Sequence, residues 1–455
     1  MRSHSEPSPP PGCPAHDTAP RTPLYTQEFA RDPQAHYTYL RQFGPVAPVE
    51  LAPGVDASLV TDYAAALHVL QSPDTFVRDS RRWRALNEGQ VPLDSPVLPM
   101  MAYRPGPLFE DGARHLRLRQ AVTDSLGKLD THQLTRMVER TASYLISQFS
   151  GRGTVDLIGD YARLVPLLVF NDLFGCPGDL GDRVAFGISG IFDGTDAQRA
   201  NEVLTEALLE LVALKRAQPG DDILTHLLQH PAGLSDEEML PQLIQLIGGG
   251  FEPMSNLIGN ALRVLLAQGG QGDGPNDGVV LVEDAINDVL WNSCPIANYA
   301  THFPLYDVDL SGSRLNAGDP VLISFAAANA DPSLSAGRGT VSRRAHLAWG
   351  AGPHACPAKD PAMIIAVQAI EKLLNELPDI EISVDPDALA YRPGPFHRAL
   401  GALPARFTPV RSVPARTGTT QDAVRTPGGG HPAAAAPATA QKGKFWSGFL
   451  AWWKG

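Results

Sequence analysis

The chain has 455 residues, with 37 basic against 49 acidic side chains and a formal net charge of −12. That length suits one large or two to three ordinary domains, and 43% hydrophobic with 19% charged residues reads as globular. The acidic balance excludes a general nucleic-acid binder, which needs a basic face to release counterions. Cys13, Cys176, Cys294 and Cys356 form no Cys-x-x-Cys pair and are too few for a disulfide scaffold, so a reducing cytoplasm is expected. No apolar run is long enough to span a bilayer, and the N-terminus lacks a signal peptide's apolar stretch.

Residues 1–23 are proline-rich without apolar periodicity and read as a mobile arm. Leu24 to about Ser412 reads as one globular unit. Leu134, Val138, Tyr144, Leu145 and Phe149 recur at helical spacing, as do Val203, Leu204, Leu208, Leu209, Leu211 and Val212. Strands are expected at Val46–Leu51, Ala57–Val60, Leu305–Leu310 and Val321–Ser324, with turns at Ser311-Gly312 and Ala317-Gly318. Helices therefore outnumber strands, which gather near the ends of the unit.

After Ser412, residues 413–441 are dominated by Gly, Pro, Ala and Thr and are expected to be a linker, since they cannot offset the entropy of ordering. Residues 442–455 form an amphipathic pattern. On a helical wheel Phe445, Trp446, Phe449, Leu450, Trp452 and Trp453 share one face, opposite Lys444, Ser447 and Lys454. Three readings stand for this tail: a membrane surface, a partner protein, or a return onto the parent domain.

The stretch that carries chemistry is His346-Leu-Ala-Trp-Gly-Ala-Gly-Pro-His-Ala-Cys-Pro-Ala358. Gly350 and Gly352 allow a tight turn with close backbone approach to a flat partner, and Cys356 follows the turn. Several backbone N–H groups and a helix N-terminus beside the sulfur favour the thiolate, the form that ligates iron. The other reading is an ordinary buried cysteine in a Gly-rich loop.

The pattern W-G-x-G-x-H-x-C-P-A resembles the cysteine loop of the cytochrome P450 family, with Trp349 where phenylalanine is usual. The resemblance covers most of residues 24–410. It implies a mainly α fold with small β-sheets, a long central helix over a haem b and a cysteine-ligand loop beneath. Cys356 becomes the axial iron ligand, with Trp349, Gly350 and Gly352 shaping its loop. His115 and Arg119 match the family's H-x-x-x-R helix and, with His302 and His354, are placed at the haem propionates.

Two departures from the family pattern stand out. The central helix reads Gly248-Gly-Gly-Phe-Glu-Pro-Met-Ser-Asn256, so Glu252 keeps the usual acid while Pro253 replaces the threonine whose hydroxyl serves the oxygen chemistry. Ser255 or an ordered water is the candidate replacement. Three glycines and a proline cost about 6 kcal/mol of helix propensity, so a kink is expected. The E-x-x-R motif falls on Asp288-Val-Leu-Trp291 without its arginine; a buried carboxylate is then stranded, unless Trp291 fills the volume and Asp288 finds donors.

The function implied is a monooxygenase acting on a small lipophilic substrate with electrons from a ferredoxin and its reductase. Arg338, Arg343, Arg344, Lys359, Arg114 and Arg117 form the candidate docking patch. The alternatives are a haem-binding regulatory or scaffold protein with reduced oxygenase activity, and a peroxide-driven enzyme. The expected location is the cytoplasm, with the tail offering attachment to a membrane surface.

Overall fold

The computed structural model describes residues 21–194, 196–269, 281–337, 342 and 344–410. The linker and tail, residues 413–455, lie outside the described residues, as does Cys13. Thr22 and Pro23, assigned to the arm by sequence, pair in parallel with Val49 and Glu50, and Arg21 reaches Asp56 at 2.8 Å. The globular unit therefore begins slightly earlier than the proline content suggests.

Helices make up most of the unit, and a six-stranded sheet lies to one side. Its strand order is Thr22–Pro23, Val46–Ala52, Val55–Val60, Val321–Ser324, Asn298–Pro304, Phe76–Val77. The four residues of Val321–Ser324 are all buried between neighbours, which explains their unbroken apolar run. The expected strand over Leu305–Leu310 is reduced to Val308–Leu310, which pairs with Ser313–Leu315 around the expected Ser311-Gly312 turn.

Buried side chains of the helices form one large core. Thr131–Phe149 begins where the Asp130 side chain accepts from the His132 and Gln133 backbone N–H groups at 2.8 and 2.9 Å. Its apolar stripe, Leu134, Val138, Leu145 and Phe149, is buried as the spacing predicts. Gly178–Asp193 and Ala197–Ala217 pack closely because Gly187 has no side chain: a Cβ there would lie 2.6 Å from the Leu204 Cβ. Through the middle runs Gly249–Gly269, continuous with Asp236–Leu243 through a π-helical stretch, Ile244–Gly248. The irregularity that the glycines and Pro253 predict thus falls on the turn that ends at the first glycine, Gly248, where the wider π turn relaxes the backbone hydrogen-bond ladder. Buried Phe251, Met254, Leu257 and Ile258 anchor the helix despite its weak propensity.

Candidate functional site

Cys356 sits between the short turn Gly352–His354 and the helix Lys359–Glu376, and its backbone N–H donates to the Trp349 carbonyl at 2.7 Å, closing the loop. Gly350 has φ +69°, open to glycine but strained for other residues. Gly352, at φ +66°, lies so close to the Tyr63–Gln71 helix that a Cβ would come 2.2 Å from the Leu70 carbonyl oxygen. Gly352 is thus required by close approach to protein backbone as well as by its positive φ. Burial pushes the Cys356 thiol up, against the opposing pull of the Ala358 backbone N–H and the Arg119 charge. Both opposing influences favour the thiolate, and a cation facing the sulfur would favour it further.

Beside this loop the fold gathers His115, Arg119, His302 and His354. Arg119 donates to the Ala355 carbonyl, tying the Gly112–Leu126 helix to the cysteine loop. The His115 and His354 rings lie with centroids 4.1 Å apart, tilted by 40°, and His354 Nε2 lies 3.4 Å from Asp111 Oδ1. His302 Nδ1 donates to the Ala300 carbonyl. Sequence reasoning missed Arg78, which is buried, donates through Nε to the Leu108 carbonyl at 3.1 Å, and acts electrostatically on all three histidines. Burial and these mutual charges lower the His115 pKa to about 4 and push His302 well below its ordinary value. Arg78 Nη1, His115 Nε2 and Trp349 Nε1 are buried without a hydrogen-bond partner. Two permanent cations, flanking histidines and unused donors, with Asp111 as a partial offset, fit a group bearing carboxylates.

On the central helix Glu252 is fully buried and paired with Arg392, which also pairs with Asp193. His397 Nε2 lies 3.7 Å from Asp193 Oδ1. Glu252 Oε2 has no partner. The Ser255 hydroxyl donates to the Phe251 carbonyl at 2.9 Å, one turn back along the helix. Pro253 is half-buried and offers no hydroxyl.

Asp288 is exposed and accepts from the Asn292 side chain at 2.8 Å. The stranded buried carboxylate expected there does not arise, because this position of Val282–Asn292 faces solvent. Trp291 packs edge-on to His346 with ring centroids 5.7 Å apart. Buried Asn329 joins the helix to the cysteine loop, donating to the Leu290 carbonyl at 3.0 Å and accepting from the Leu347 N–H at 2.7 Å.

The expected basic patch is also altered. Arg114 lies 3.2 Å from Glu110, and both Arg114 and Arg117 pair with Glu238, so neither adds unopposed charge. Arg344 is exposed; Arg338 and Arg343 lie outside the described residues.

A cavity of about 770 Å³ of non-atom space, including its open mouth, lies against Gly248 and Gly249 of the central helix. Ile188, Ile191, Phe192 and Phe396 supply much of its apolar wall. Its size and lining suit a small lipophilic molecule. Among the described residues no helix is long and apolar enough to cross a membrane.

No family model matches the chain. It is similar to the cytochrome P450 monooxygenase PikC of Streptomyces venezuelae, 31% identical over 411 residues that span 86% of this chain and 95% of the relative. Cytochrome P450 107B1 of Saccharopolyspora erythraea is 29% identical over 394 residues, 84% of this chain and 96% of the relative. Among solved structures, CYP154A1 from Streptomyces coelicolor matches with a TM-score of 0.76 and 27% identity, over 85% of this chain and 100% of that one. Similarity extending over nearly the whole of such proteins, with the cysteine loop and its cationic shelf in one place, means that this chain belongs to the bacterial cytochrome P450 family.

Proposed function

We propose that this protein is a haem-thiolate monooxygenase that binds haem b and oxidises a small lipophilic substrate. The observation that carries the reading is the cluster of Arg78, His115, Arg119, His302 and His354 beside the Cys356 loop, with buried donors that the protein itself leaves unused. These side chains would hold the propionates, and Cys356 would ligate the iron. When bound, the cofactor supplies dioxygen activation with electrons from outside, for which a ferredoxin and its reductase are the proposed source.

The chain's own part is to position and to exclude. The cavity walls hold the substrate and keep bulk water from it. Arg119 fixes the cysteine loop against the helix that carries His115. The usual hydroxyl is missing from the central helix, and Ser255 directs its proton to the Phe251 carbonyl. Glu252, with Oε2 free of a partner and Oε1 held by Arg392, is therefore the candidate on this helix for the proton relay.

The test is the reduced carbon monoxide difference spectrum of the haem-loaded protein. A red-shifted thiolate-type band that disappears in Cys356→Ser is expected; failure to incorporate haem overturns the reading.

A further inference from the structure

Among the described residues lining the cavity, Arg104 is the only charged one. Its Nη2 donates to the Pro99 carbonyl at 3.0 Å and to the Asn201 side-chain oxygen at 2.8 Å, both neutral acceptors. No carboxylate pairs with it among the described residues, and burial lowers its pKa with only Tyr299 acting the other way. No hydrogen bond from its Nε or Nη1 exists among the described residues. Of the other polar side chains of the wall, the Tyr299 hydroxyl donates to the Met100 carbonyl at 2.8 Å and the Gln245 side-chain oxygen accepts from the Leu108 N–H at 3.1 Å, which leaves the Gln245 amide N–H groups as neutral donors beside the one permanent charge.

A guanidinium cannot shed its charge at neutral pH, and withdrawing it from water without a counter-charge is costly. The apolar wall around it offers no relief. An incoming carboxylate would supply the missing charge and accept from the unused donors in a two-pronged arrangement. We infer that the substrate is a lipophilic carboxylate, held with its acid group on Arg104 and its hydrocarbon body along the Ile188, Ile191, Phe192 and Phe396 wall. This rests on the cavity being the substrate site of the proposed monooxygenase.

The probes are dodecanoate and 1-naphthoate, each paired with its methyl ester, measured by equilibrium dialysis and by haem absorbance shift on the haem-loaded protein. At pH 7.5 each acid is expected to bind at least 10-fold more tightly than its ester. Arg104→Gln is expected to remove that preference while leaving ester affinity within about 2-fold. Asn201→Ala, which frees the guanidinium and keeps its charge, preserves the preference and keeps the inference testable should Arg104→Gln fail to fold. Equal binding of acids and esters by the wild type overturns the inference. So does an Arg104→Gln protein that loses both ligands alike, which identifies Arg104 as a strut between Pro99 and the Ala197–Ala217 helix. Failure of haem loading defeats the monooxygenase reading separately, since dialysis still reports the acid preference.

Discussion

Arg392→Met isolates the buried pair at the central helix. In the native protein Arg392 serves two carboxylates of different exposure: the Glu252 side chain is wholly buried, whereas Asp193 keeps 28% of its side-chain surface in water. Asp193 can rehydrate after the substitution; Glu252 cannot. Removing one partner of a buried pair costs about 3–5 kcal/mol, and that loss falls on Glu252. Glu252→Gln costs less, about 1 kcal/mol, since Arg392 keeps Asp193 and the amide still accepts a bond. The double variant should accordingly be more stable than Arg392→Met alone. Urea unfolding followed by circular dichroism, compared at equal slope, measures all four proteins. A loss below about 1 kcal/mol for Arg392→Met, or a double variant less stable than it, refutes the account.

The cofactor-free chain should lose stability as the pH falls from 6.5 towards 4. The folded pKa values of His115 and His346 are lowered to about 4, so the unfolded chain binds protons first; the stabilisation is complete above 6.5 and is lost through that window. The loss is on the order of 3 kcal/mol per histidine, readable as a falling urea midpoint, and His115→Asn should flatten part of the curve. A pH-independent midpoint contradicts this. Gly249→Ala should gain about 0.5–1 kcal/mol, because its Cβ meets nothing within 4 Å, whereas Gly250→Ala places a Cβ 2.7 Å from the Phe170 ring and should lower the melting temperature. Equal effects at the two positions refute the packing described. Deleting residues 442–455 should leave the carbon monoxide spectrum intact and reduce co-sedimentation with anionic liposomes; unchanged sedimentation rejects the membrane reading of the tail.

The helical core was legible because its apolar stripes repeat within single elements, as in Thr131–Phe149. Asn298–Pro304 was not. Its sequence, Asn-Tyr-Ala-Thr-His-Phe-Pro, lacks a clear alternation, and it is a strand through pairing with Val321–Ser324 and Phe76–Val77. The same divide runs through the site. Cys356, Trp349 and His354 stand within one compact motif, and His115 with Arg119 are one helical turn apart. Arg78, Arg104, Arg392 and His397 carry no local pattern, and Arg392 meets Glu252 across 140 residues of chain. Conversely, Asp288 kept the motif's spacing and still faces solvent, because spacing fixes neighbours along a helix and not which side the core takes.

The Asn329 bridge bears on how the protein comes apart. Where the arginine of the E-x-x-R pattern is missing, the helix and the cysteine loop are moored by an uncharged amide. Salt has nothing there to screen, and acid has nothing to titrate. The shelf differs: its standing charge is Arg78 and Arg119, and its histidines gain charge only in acid. Acidification should therefore crowd like charges onto the shelf of the cofactor-free chain and loosen it, while the Asn329 ties to the cysteine loop hold.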